Sequence, residues 1–210
     1  KDCIHIPFGI MKFNDGIMST RKGKVIFLEE VLDKSVDKVK KIIKEKNPKL
    51  KNKDKIAEQI GIGAIIFWDL SHDRVKDIQF EWDLILDFSG ETGPYIQYTY
   101  ARASSILRKA KNKSKPSYEK LTNPKEAELI KLISDFESTI ENAAQQYKPS
   151  VLAKYLLSIA QRFNEFYQSC PVLNEEDKSL AKARLNLISK TREILKEGLS
   201  LLAISTPEEM

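Results

Sequence analysis

The chain has 210 residues, 41% hydrophobic and 31% charged, an ordinary soluble globular balance large enough for one large or two small domains. With 35 Lys+Arg against 30 Asp+Glu the net charge is +5, which permits an anionic partner without demanding one. No apolar run spans a membrane, and Lys1–Ile6 lacks the apolar h-region of a secretory leader. Cys3 and Cys170, the only cysteines, make neither a disulfide framework nor a four-ligand zinc site, so a reducing cytoplasm is expected.

In chain order, Cys3-Ile4-His5-Ile6-Pro7-Phe8 reads as a short strand. Asn14-Asp15-Gly16 is a turn signal, so the segment from Phe8 to Ile17 is predicted to fold as a hairpin. Met18-Ser19-Thr20-Arg21-Lys22-Gly23-Lys24 then gathers hydroxyls, cations and a glycine into one loop. A phosphate ligand needs small donors, mobile positive charge and close backbone approach, although short basic loops also occur without that role. Leu32, Val36, Val39 and Ile43 place an apolar stripe on a helix predicted over 29–47. Glu29 and Glu30 in its first turn and Lys44 and Lys46 in its last suit the helix dipole. The lysine-rich stretch from Lys34 to Lys55 carries much of the excess charge and reads as a solvated face and loop.

A second helix is predicted over 53–68. Gly61 and Gly63 weaken it by up to about 1 kcal/mol each relative to alanine, and their smallness allows a neighbouring element to approach closely. Gly61-Ile62-Gly63 lacks the third glycine and preceding strand of a dinucleotide fingerprint. Ser71-His72-Asp73-Arg74 is a turn, and His72 has no nucleophile context, so it reads as structural. Ile78, Phe80, Trp82 and Leu84 alternate with polar residues, which predicts an extended segment; a short helix starting at Asp83 is the alternative.

Gly90-Glu91-Thr92-Gly93-Pro94-Tyr95-Ile96-Gln97-Tyr98-Thr99-Tyr100-Ala101-Arg102 passes from loop to helix, with Pro94 suited to the first turn. Tyr95, Tyr98 and Arg102 share one face of that helix, and Ile96, Tyr100, Ala103 and Leu107 make a second, apolar one. Aromatic rings beside an arginine suit unstacked RNA bases, and equally suit half-buried packing. No glycine falls between Tyr95 and Glu197, and the prolines cut this region into helices. The first runs to about Lys111, followed by a polar connection to Asn123. Asn123-Pro124-Lys125-Glu126 is a capping box opening a helix with Leu129, Ile133, Phe136, Ile140 and Ala143 on one face. Pro149 opens another, striped by Leu152, Leu156, Ile159, Phe163 and Phe166. Asn174 to Asp177 starts the last, with Leu180, Leu187 and Ile194 along its face and Gly198 as its C-cap. Four long amphipathic helices predict a bundle, and the absence of repeated wording disfavours a solenoid.

Two stretches closely resemble the class I arginyl-tRNA synthetases. Met-Ser-Thr-Arg-Lys-Gly at 18–23 is similar to that family's version of the Lys-Met-Ser-Lys-Ser phosphate loop, with Ile17 and Thr20 standing where the general motif has its lysines. Gly-Glu-Thr-Gly-Pro-Tyr at 90–95 resembles the junction between catalytic and anticodon-binding halves. Phe163-Asn164-Glu165-Phe166-Tyr167 and the ending Thr206-Pro207-Glu208-Glu209-Met210 also look like the anticodon-binding half.

The resemblance implies a mainly α fold: an α-helical anticodon-binding bundle at 89–210, preceded at 1–88 by the C-terminal remnant of a Rossmann-type catalytic domain with short strands and a helical connector. It implies ATP binding by Met18, Ser19, Thr20, Arg21 and Lys22, with Ser19, Arg21 and Lys22 acting in catalysis, and Mg²⁺ arriving with the ATP. It implies binding of the arginine tRNA anticodon by Tyr95, Tyr98, Arg102, Tyr167 and Met210. The expected activity is arginine–tRNA ligation in the cytoplasm, with no membrane or DNA partner. The family's His-Ile-Gly-His-type motif has no counterpart here, because His5 and His72 lack its context. The chain is therefore expected to be part of a longer enzyme and inactive alone. From the residues by themselves, a stand-alone helical RNA-binding module and a helical interaction domain remain open.

Overall fold

The computed structural model describes residues 3–13, 16–17 and 27–210. Two short strands, β1 (Met11–Phe13) and β2 (Gly16–Ile17), pair antiparallel with Lys12 opposite Ile17 and Phe13 opposite Gly16, the expected hairpin. β3 (Ile78–Gln79) joins β1 in parallel, Met11 opposite Ile78, giving the order β2-β1-β3. The strand predicted over Cys3–Phe8 does not form. A strand needs a ladder partner, and these residues pair with none among the described residues. The extended segment after Ile78 is also shorter than the alternation suggested. It gives way to a one-turn helix, α3 (Trp82–Ile85), which turns Leu84 out to solvent.

Helices α1 (Leu28–Lys46) and α2 (Lys53–Ser71) pack as an antiparallel pair. The buried ridge of α1 is Val31, Ser35, Val39 and Ile43, one residue round from the centre of the apolar stripe. The reason is Gly61. A Cβ there would lie 2.8 Å from the Val36 backbone nitrogen, so only glycine lets the helices come this close. The Ser35 hydroxyl fills the contact by donating to the Gly61 carbonyl at 2.8 Å. α2 is buried on two sides, with Ile60, Ala64 and Trp68 in a core shared with α1, and Phe67 in the core of the bundle.

The bundle comprises α4 (Gly93–Lys109), α5 (Pro124–Ser134), α6 (Phe136–Gln145), α7 (Pro149–Ser169) and α8 (Lys178–Leu201). One predicted helix is thus two. The break falls at Asp135, whose N–H donates to the Leu132 carbonyl three residues back at 3.1 Å, a tightened last turn that closes the first helix. Gly198 is likewise not a C-cap. It lies within α8 where a Cβ would collide with Leu156 of α7, and the chain reverses later, at Ala203 with φ 59°. The capping box forms as expected, with Asn123 and Glu126 capping each other's backbone.

Glu126 has a second task. Fully buried, it accepts from Arg184 Nε at 2.6 Å, while Arg184 Nη1 reaches Glu175 at 2.7 Å and the Pro171 carbonyl at 2.8 Å. This network joins α5, α8 and the loop before α8. Removing one partner of a buried pair strands a charge, so Arg184→Ala should lower unfolding stability by about 3–5 kcal/mol, whereas Glu126→Leu with Arg184→Met should lose much less. Denaturant melts of both variants test this; a loss below about 1 kcal/mol for Arg184→Ala would show the network to be dispensable.

Candidate RNA-binding face

Thr92 caps α4, its hydroxyl accepting from the Tyr95 N–H at 3.2 Å. The helix that follows presents Tyr95, Tyr98 and Arg102 away from the fully buried Ile96, Tyr100 and Ala103. Tyr98 is the most open of the aromatic pair, 45% exposed. Tyr95 is half-buried against the bundle core.

Asn164 of α7 organises this face. Its amide nitrogen donates to the Tyr95 hydroxyl at 2.9 Å and to Thr99 Oγ1 at 3.2 Å, and its oxygen accepts from Arg102 Nη1 at 3.0 Å. The Arg102 guanidinium lies over the Tyr167 ring, 5.1 Å from its centroid, and that ring stacks on Phe163. Arg102 is therefore a pre-oriented cation between two phenols. Asn164 stood in the sequence within Phe-Asn-Glu-Phe-Tyr, but nothing in that wording showed which helix its amide would face.

Met210 completes the arrangement from the far end of the chain. The tail after α8 folds back across α4. Gln97 Nε2 donates to the Ser205 carbonyl at 2.7 Å, the Tyr100 hydroxyl donates to Glu208 at 2.5 Å, and Asn47 Nδ2 donates to the Met210 carbonyl at 3.3 Å. Arg108 holds Glu208 and Glu209 from outside. Met210 thus packs against the α1–α2 core rather than fraying. It shares with Tyr98 two adjoining grooves. One, of about 560 Å³, is lined also by Arg102, Arg108 and Lys109; the other, of about 660 Å³, by Ile42, Lys46 and Phe88. The five residues singled out for RNA contact converge on one region, with Arg102 linking the Tyr98–Met210 groove to the Tyr95–Tyr167 pair.

The phosphate-loop residues Met18, Ser19, Thr20, Arg21 and Lys22 lie outside the described residues. His72, close to Asp73 in sequence, instead places Nδ1 2.5 Å from the Trp68 carbonyl and its ring edge-on to the indole. Among the described residues no group of three or more His, Cys, Asp or Glu could hold a metal ion. Nor is any helix there long and apolar enough to cross a membrane.

A helical bundle with an aromatic-and-arginine face, set behind helices and a short sheet of another core, defines the class of helical anticodon-binding domains attached to a synthetase. The chain belongs to the DALR anticodon binding domain family, whose model matches residues 96–210, and its relatives are arginyl-tRNA synthetases. A model of the class I (R) tRNA synthetase catalytic domain matches residues 1–82. The arginine–tRNA ligase of Halothermothrix orenii is 47% identical over 212 residues, and that of Clostridium botulinum strain Alaska E43 46% identical over 210. Each alignment covers 100% of this chain and 37% of the relative, so the chain spans a little over a third of their length. Among solved structures, Thermus thermophilus arginyl-tRNA synthetase superposes with a TM-score of 0.90 at 34% identity, covering 97% of this chain and 35% of that one. The Plasmodium falciparum enzyme gives 0.81 at 26% identity, covering 98% and 35%.

The tail contact is titratable. The Tyr100 hydroxyl, more than any other partner, holds the Glu208 carboxyl below its usual pKa. A depressed folded pKa gives stability that is present above the unfolded value, about 4.3, and lost as pH falls through the folded one. Acidification below about pH 4.3 should therefore loosen the tail. The Met210 methyl resonance, followed from pH 7 downward, should move toward its random-coil position, and Glu208→Gln should be displaced already at pH 7. A resonance unchanged in both cases would mean that the carboxylate does not hold the tail.

Proposed function

We propose that this chain recognises the anticodon of arginine tRNA and supplies the ATP-phosphate loop of a cytoplasmic arginine–tRNA ligase, which joins arginine to its tRNA through an arginyl-adenylate. The observation that carries the tRNA part is the convergence of Tyr98, Met210 and Arg102 on one groove, beside the Tyr95–Asn164–Tyr167 network. Exposed phenol, thioether and guanidinium offer stacking surfaces and charge to bases splayed out of a loop. The division falls near residue 88: residues 1–88 belong with catalysis, and 89–210 with the anticodon. Phe67 of α2, buried in the bundle core, would couple the two.

Ser19, Arg21 and Lys22, with Met18 and Thr20, are assigned to the ATP phosphates by their likeness to the family's loop, and Mg²⁺ enters with the nucleotide. The two cations should matter most as charge develops on the leaving pyrophosphate. In the intact ligase, Lys22→Ala or Arg21→Ala should slow arginine activation at least roughly tenfold, about 1.4 kcal/mol, with little change in the KM for arginine. ATP–pyrophosphate exchange checks this, and wild-type rates in both variants would reduce the loop to a surface turn. The 210-residue chain alone should show no exchange above a mock-purified control.

The tRNA assignment is tested by binding to tRNAs that differ only in anticodon. Tyr98→Ala should weaken binding of the arginine tRNA by about 1–3 kcal/mol and leave folding largely intact, because the residue is 45% exposed and the apolar stripe is untouched. Tyr100→Ala, which empties a fully buried site, should instead destabilise the fold by roughly 3 kcal/mol or more. Reversal of that ranking would make Tyr98 a packing residue.

A further inference from the structure

We propose that the segment between α4 and α5 is an electrostatic rail for the RNA backbone, with Lys111, Lys113 and Lys115 contacting phosphates of the strand whose bases the Tyr98 groove reads. The proposal rests on the anticodon reading above and adds to it a surface outside that groove.

The segment has an alternating pattern. Lys111, Lys113 and Lys115 are exposed, whereas Ala110, Asn112, Ser114 and Pro116 between them are half-buried. The alternation keeps all three lysines on the solvent side of the segment, with the chain bending at Ser114 between Lys113 and Lys115.

The inward side is pinned. Asn112 Nδ2 donates to the Lys178 carbonyl at 2.7 Å, its oxygen accepts from the Ser114 N–H at 2.8 Å, and the Ser117 N–H donates to the Ser179 carbonyl at 3.2 Å. The row is thus fixed to the start of α8, and less backbone freedom is lost on binding than from a loose loop.

The charge has few local competitors. No Asp or Glu occurs between Glu91 and Glu119, a stretch that carries Arg102, Arg108, Lys109, Lys111, Lys113 and Lys115. Of the acids brought near by folding, Glu175 is engaged by Arg184, Asp177 by Lys120, and Glu208 and Glu209 by Arg108, which leaves the exposed Glu176 as the one local competitor. Among the described residues, none of the three rail lysines is in an ion pair. Continuity gives the direction. Lys109 lines both the Tyr98–Arg102–Met210 groove and a second groove, of about 480 Å³, that Lys111 and Lys113 also line. A strand whose bases enter the first groove would leave along the second.

Phosphate contacts position a nucleic acid without reading its sequence, and each contributes to the salt dependence of binding. The test compares the full chain with its K111Q/K113Q/K115Q variant, titrating arginine tRNA and a tRNA differing only in anticodon across a range of salt. The variant should bind both roughly tenfold more weakly at low salt, with the slope of log K against log salt reduced by about 2 and the ratio between the tRNAs unchanged. Bound tRNA should also protect the three lysines of the wild type from amine acetylation, a readout independent of the variant's folding. Wild-type slope and affinity in the variant, or unprotected lysines, would overturn the proposal alone. Equal wild-type affinity for the two tRNAs would overturn the anticodon reading while the slope still decides the rail, and absence of RNA binding would overturn both.

Discussion

The Gln97 side chain is the constraint on which the arrangement of the molecule depends. It is wholly buried, and its amide nitrogen donates to the Gln59 carbonyl on α2 and the Ser205 carbonyl in the tail. Burying an amide is costly, and its oxygen has no partner among the described residues, so the two bonds from its nitrogen tie the three elements in one placement. Gly63 makes room for them: a Cβ there would stand 2.8 Å from Gln97 Nε2 and 3.0 Å from an Ile204 methyl. With α2, α4 and the tail fixed to one another, Tyr100 and Arg108 meet Glu208, Asn47 meets the Met210 backbone, and Tyr98 acquires the groove it shares with Met210.

The candidate RNA-binding face is consequently a composite. α4 contributes Tyr95, Tyr98 and Arg102, α7 contributes Asn164 and Tyr167, and the last residue of the chain contributes Met210. Rigid packing supports each part. Tyr167 stacks on Phe163, Asn164 holds Arg102 and Tyr95, and the tail is clamped from both sides. Polar groups arranged this way before a ligand arrives lose little freedom when it binds. The same packing carries a mechanical connection, because Phe67 of α2 lies in the bundle core while its neighbour Trp68 lies in the core shared with α1.

Sequence by itself determined most of the helices. Periodic apolar residues, Pro149 at a helix start and the Asn123–Glu126 box act through neighbours three or four positions away, and α1, α2, α4, α5 and α7 begin close to where those signals fall. It also determined the family, through the wording of the junction at Gly90–Tyr95, and the separation of Tyr98 from Tyr100, which is a matter of helical period. Tertiary structure decided what depends on partners distant in sequence. Whether Cys3–Phe8 is a strand depends on a neighbouring ladder; whether Gly198 caps or crosses depends on Leu156; whether Ser35 is buried depends on Gly61. The site shows the same division. Local period put Tyr95, Tyr98 and Arg102 on one face, but Asn164 lies 62 residues from Arg102 and Glu208 lies 108 from Tyr100, and no local rule pairs residues at those separations.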